Sequence, residues 1–304
     1  MGPGVTMEVA LVLIGAFLLL SVIASKASAK LGIPALVLFI ALGMLAGSDG
    51  PGGIAFEDYS LAKAIGTFAL GAILFAGGLD TDWEMIQGVL RPGRALSTLG
   101  VVFSTAIVGW FGHAFLGLSV VEGLLLGSIV SSTDAAAVFS VLRTRGIRLR
   151  HRVIPLLEFE SGTNDPLAVF LTIGCTQLLS NPALTPLSLL PELLIQMPVG
   201  FLLGWAAGRF GVWVLNHARL EYDGLYPVVS IALMCLTFGG AHLVHGNEFL
   251  AIYVAGITMG RRNFLRKVSL LQFHDGLAWL MQIVMFLALG LLAFPTRLLE
   301  VALS

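Results

Sequence analysis

The stretch 156-LLEFESGTNDPLAVFLTIG-174 places Glu158, Glu160 and Asp165 close together in a chain that is otherwise poor in charge. Of its 304 residues, 57% are hydrophobic and 12% are charged, against about a quarter charged in an ordinary soluble domain. The mean hydropathy is +0.93. That balance excludes a soluble globular fold and points to a chain that lives in a bilayer. Apolar runs of about 20 residues, the length a helix needs to cross the hydrocarbon core, recur from end to end. The alternating ten-residue pattern of an outer-membrane barrel does not appear. The fold class read from this is an all-α polytopic membrane protein.

Net charge is −1, and no basic patch interleaved with aromatics appears, so no nucleic-acid partner is expected. Cys175 and Cys235 both lie inside apolar segments, which indicates neither a disulfide framework nor a zinc site. No cofactor is expected. The first apolar run lacks the Lys/Arg cluster of a cleaved leader and is read as a retained helix.

Ten spans are expected, at about 7–25, 32–47, 61–79, 95–117, 122–142, 153–179, 188–215, 225–245, 248–260 and 275–296. Odd-numbered connections carry 15 of the 17 Lys and Arg residues, the exceptions being Lys63 and Arg297. Even-numbered connections carry Asp49, Glu57, Asp58, Glu122, Glu192 and Glu248 instead. The positive-inside bias then puts odd connections in the cytoplasm and the N-terminus outside a multi-pass protein of the inner membrane. Leu36–Ala41 in span 2 resembles Leu250–Ala255 in span 9, and Phe75–Leu79 in span 3 resembles Phe286–Leu291 in span 10. Each pair runs in opposite directions, the relation of an inverted repeat. Residues 1–304 are accordingly read as one transmembrane domain, with a first repeat over about 7–179 and a partial inverted one over about 225–296.

An ionisable group at membrane depth costs roughly 2.5–3.5 kcal/mol on insertion scales, so each one is a functional candidate. Span 5 carries Ser131-Ser132-Thr133-Asp134 near its middle, and span 6 carries Asp165. Glu160 and Asn164 stand at i, i+4, as do Ser161 and Asp165, so the four share one broad helix face. Glu158 lies two turns from Asp165 on a similar heading. Pro166 cannot donate back to the carbonyl of residue 162, which leaves that oxygen loose within the membrane. The small polar run in span 5 favours an unwound backbone lining a cavity. Carboxylates, hydroxyls, an amide and freed carbonyls are hard oxygen ligands that suit a small monovalent cation or a proton. Two facing carboxylates, Asp134 and Asp165, let protons compete with a cation for one site, which is a mechanism for exchange. His242, His245 and Glu248 form an H-x-x-H-x-x-E run, but Gly246-Asn247 is expected to turn the chain there and break the helix a metal site would need. His274 and Asp275 are expected to cap span 10.

Thr133-Asp134, with Glu160-Ser161, Asn164-Asp165 and Pro166-Leu167-Ala168-Val169-Phe170, resembles the paired motifs of the NhaP-type monovalent cation/proton antiporters. Leu31-Gly32-Ile33-Pro34 and Gly43-Met44-Leu45-Ala46-Gly47 bring the likeness closest to the bacterial potassium/proton branch. The resemblance implies an inverted-repeat, NhaA-like fold and exchange of potassium or sodium for protons by alternating access. It implies a binding site at Thr133, Asp134, Glu160, Ser161, Asn164 and Asp165, with Asp165 as main carrier and Ser132 and Glu158 as accessory groups. The Asn164-Asp165 pair implies electroneutral, one-for-one exchange, and the family likeness implies a homodimer in contact with membrane lipid. The family has about thirteen spans, so the chain is expected to stop at Ser304, before the last three. A non-transporting scaffold or partner subunit derived from such an antiporter is the alternative expectation.

Overall fold

The computed structural model describes residues 6–144, 147, 149–181 and 183–296. Arg297 and Ser304, named above, lie outside the described residues, as do two of the bases counted in the odd connections, Arg145 and Arg148. Thirteen α-helices follow in order: α1 Met7–Leu31, α2 Ala35–Ala46, α3 Tyr59–Asp80, α4 Trp83–Gln87, α5 Leu90–Ala95, α6 Val101–Leu116, α7 Val120–Val130, α8 Ala135–Thr144, α9 Val153–Ser180, α10 Leu189–His217, α11 Leu225–Leu243, α12 Glu248–Gly260 and α13 Lys267–Leu291. A π-helical turn, Leu96–Gly100, joins α5 to α6 into one continuous run. Six segments among the described residues are long and apolar enough to cross a membrane, and α2, α7 and α12 are shorter apolar helices. At 28 residues α9 is long enough to cross, but the polar cluster in its first half keeps it out of the six.

The expected spans land on these helices, with two revisions. Span 5 is two helices, α7 and α8, separated at 131–134. The tenth starts earlier than expected, at Lys267. His274 therefore does not cap α13 but lies inside it, 1% exposed. Its Nε2 sits 2.8 Å from Ser230 Oγ, and the Phe75 ring centroid lies 5.0 Å from its own. A helical pattern continues through Lys267–Phe273, and that is what displaced the start.

The chain divides into two compact units, one from residues 1–73, 136–148 and 276–304, the other from 74–135 and 149–275. In the first, α1 ends where Gly32 turns left-handed at φ 69° and returns its N–H to Ser28 O, 2.9 Å away. Pro34 then opens α2. A Cβ added to Gly43 of α2 would lie 2.8 Å from Gly290 Cα of α13, so these backbones touch. Beyond them Thr296 donates to Asp49 through both its backbone N–H and its hydroxyl.

The second unit is built around α12, whose residues are buried on nearly every side. A helix that is apolar all round belongs in an interior. Small residues let its neighbours approach: a Cβ on Gly78 of α3 would stand 2.5 Å from Tyr253 O, and one on Gly256 of α12 would stand 2.6 Å from Phe75 O. Close small-residue contact is how helices associate where no water drives them together. Asn247 starts α12 and is 4% exposed. Its Oδ1 accepts from Leu250 N at 2.8 Å, its N–H donates to Gln196 O at 2.8 Å, and its Nδ2 reaches Pro166 O at 3.4 Å. One cap thus ties α12 to α10 and α9. The turn expected at Gly246-Asn247 is there, and its tying role carried no signal in sequence.

Candidate functional site

All of the site lies in the second unit and grows from the break after α7. Ser, Thr and Asp side chains bond to nearby backbone and so compete with the helical ladder. Ser131 does this first, its hydroxyl donating to Ser128 O at 2.8 Å. Ser128 Oγ in turn meets Thr172 Oγ1 of α9 at 3.0 Å, which pins the end of α7 to α9. The helix stops, and 132–134 run without regular structure until Ala135.

The backbone groups freed by the break are taken up by α9. Ser161 Oγ donates to Thr133 O at 2.8 Å and accepts from Ala135 N at 3.1 Å. Thr133 Oγ1 donates to Glu160 Oε2 at 2.9 Å while accepting from Asn164 Nδ2 at 2.7 Å. Asn164 Nδ2 also donates to Glu160 Oε1 at 3.0 Å. Both oxygens of Glu160 are thereby engaged, which makes it a fixed acceptor. Asn164 is fully buried, and its Oδ1 has no hydrogen-bond partner among the described residues. Such a group in an interior is rare.

Ser132 donates to Asp165 Oδ1 at 2.5 Å. Asp134 and Glu160 lie within electrostatic reach of Asp165. Ser132, Thr133, Asp134, Glu160, Ser161, Asn164 and Asp165 are thus brought together at one level of the molecule. Glu158 stands apart, its charge facing Asp80 and Asp82. Every donor in the cluster is an oxygen or a neutral amide, a set suited to hard cations.

A cavity of about 240 Å³ lies further along α9, lined in part by Gln177, Glu192, Gln196, His242 and Glu248. His242 Nδ1 and Glu248 Oε1 are 3.8 Å apart there. Among the described residues no group of three His, Cys, Asp or Glu is placed to hold a metal.

The sodium/hydrogen exchanger, transmembrane, family matches residues 15–303. The chain belongs to the sodium/hydrogen exchanger family. Among its exchanger relatives, the K(+)/H(+) antiporter NhaP of Alkalimonas amylolytica is 42% identical over 290 residues, 95% of this chain and 50% of that protein. The K(+)/H(+) antiporter NhaP2 of Shewanella oneidensis is 41% identical over 292 residues, with the same coverage. The chain therefore spans about half the length of these relatives. The fold matches the sodium proton antiporter MjNhaP1 of Methanocaldococcus jannaschii with a TM-score of 0.79 at 22% identity, covering 97% of this chain and 75% of that one. The chain thus has the fold of that antiporter, as the resemblance implied.

Proposed function

We propose that the protein exchanges a monovalent cation, potassium or sodium, for a proton across the cytoplasmic membrane by alternating access, with Asp165 as the carrier. The observation that carries this reading is the Ser132–Asp165 bond across the helix break, which places a carboxylate beside neutral oxygen groups in a setting where cation and proton exclude one another. Thr133, Glu160, Ser161 and Asn164 hold the break in place, and Asp134 adds a second negative charge that draws a cation in. One carboxylate that trades one charge gives one-for-one exchange. The potassium relatives named above favour potassium as substrate.

The inverted repeat also belongs to this proposal. If span 2 corresponds to 9 and 3 to 10, a contact between 2 and 10 must have a counterpart between 9 and 3. The Gly43–Gly290 and Gly78–Gly256 contacts form such a pair, which supports the relation. A homodimer in a lipid bilayer, with the N-terminus outside, completes the reading.

Purified protein in liposomes is expected to collapse an imposed pH gradient when potassium or sodium is added, and Asp165→Asn is expected to abolish this. Exchange that persists in the variant removes Asp165 from its role. A chain that gives no cation-dependent proton flux in any lipid supports the scaffold alternative.

A further inference from the structure

On α9, Glu158, Gly162 and Asp165 follow one another at helical spacing, so Gly162 occupies the turn between two carboxylates. The space above that glycine is filled from another helix. A Cβ built on Gly162 would lie 2.5 Å from the Tyr253 hydroxyl oxygen and 2.7 Å from Cζ of the same ring. The phenol of α12 thus stands where α9 has no side chain, about one helical turn, ~5.4 Å of rise, from either carboxylate.

Tyr253 is 2% exposed, and it lies within electrostatic reach of both Asp165 and Glu158. The Thr81 side chain lies near its hydroxyl. The Thr81 hydroxyl is committed as donor to Gly77 O at 2.8 Å. The lone pairs of the tyrosine oxygen remain for a cation or an acid proton. Asp80 and Asp82 lie within electrostatic reach of Glu158, so three carboxylates gather near this end of α9. The bases near it are engaged: Arg261 lies 3.7 Å over the Trp83 ring, and Lys267 Nζ donates to Gly260 O.

We infer that Tyr253 is an ion-coordinating residue of the exchange route, a neutral oxygen that keeps an ion coordinated as it moves between Glu158 and the carrier Asp165. This rests on the exchange reading above. Without the hydroxyl, a cation leaving water at Glu158 would cross one helical turn against a bare aromatic edge. Tyrosine is needed there rather than a residue of α9 itself, because the oxygen has to reach the helix surface over a glycine.

The test is stopped-flow proton release from the purified full chain in weakly buffered detergent after mixing with potassium chloride or sodium chloride, read with a pH dye. Tyr253→Phe keeps the ring over Gly162 and removes only the oxygen. It is expected to release as many protons with the same cation midpoint, at a rate about tenfold lower. Glu158→Gln is expected to slow release in the native background and to add nothing in the Tyr253→Phe background. Gly162→Ala, which displaces the hydroxyl from the other side, is expected to reproduce the slowing if Tyr253→Phe fails to fold. An unchanged rate in the tyrosine variant overturns the assignment, as does a midpoint that shifts along with the rate, since that is the mark of a packing role. Asp165→Asn separates the two readings: proton release that survives in it overturns the carrier assignment and the route to it together, whereas release lost in Asp165→Asn but unchanged in Tyr253→Phe overturns the tyrosine assignment alone. No cation-driven release from the unsubstituted protein overturns both.

Discussion

Asp165 receives one bond from Ser132, and the consequence is local and measurable. A hydrogen bond to a charged group contributes roughly 1.5–3 kcal/mol. Ser132→Ala is therefore expected to raise the apparent KM for the cation by roughly ten- to a hundredfold, at 1.4 kcal/mol per factor of ten, with little loss of thermal stability. Cation-dependent exchange against concentration measures it. Thr133 and Asn164 behave differently, because each serves as both partner and tether in the network around Glu160. The identities of these residues were legible in sequence, since carboxylates and amides stand out against an apolar background and the i, i+4 spacing puts them on one face. Their division of labour was not. Glu160 and Asp165 are both carboxylates of one helix, and only the hydrogen bonds distinguish a clamped acceptor from the proposed carrier. Tyr253 gave no signal at all, because an aromatic in an apolar helix reads as packing until its hydroxyl is seen over Gly162.

At the scale of elements, two glycines in α3 make a controlled pair. A Cβ on Gly66 meets nothing within 4 Å, whereas one on Gly78 collides with the backbone of α12. Gly66→Ala is expected to be neutral or stabilising by up to about 1 kcal/mol, since alanine is the better helix former. Gly78→Ala is expected to cost about 1–3 kcal/mol through overpacking against a neighbour that cannot yield. Thermal unfolding in detergent, followed by size-exclusion fluorescence, distinguishes them. The helices themselves were largely legible from hydropathy, which reports length and burial along the chain. The break at 131–134 was anticipated from its short polar residues, but the start of α13 was misplaced. Lys267 and the residues after it fit a helix as well as a loop by pattern, and burial of His274 against Ser230 and Phe75 decided between them.

At the scale of the whole molecule, the bias of Lys and Arg toward odd connections makes the proposed orientation testable. In a background with Cys175 and Cys235 replaced by Ser, Asp58→Cys is expected to react with a membrane-impermeant maleimide in intact cells. Asp82→Cys is expected to react only after permeabilisation, and the reverse pattern would invert the topology. Composition and the motifs around Asp134 and Asp165 determined by themselves that this is a helical membrane protein of the exchanger family. They could do so because the bilayer punishes every exposed backbone group and every unpaired charge, so an apolar chain with two polar interruptions has few ways to fold. What only the tertiary structure decided is which groups meet: that Ser132 reaches Asp165, that Thr133 bridges Glu160 and Asn164, and that Tyr253 fills the gap above Gly162. Those pairings span about 30 to 90 residues of chain, and hydropathy and spacing carry no information across such separations; close packing of glycine-lined helices supplies it.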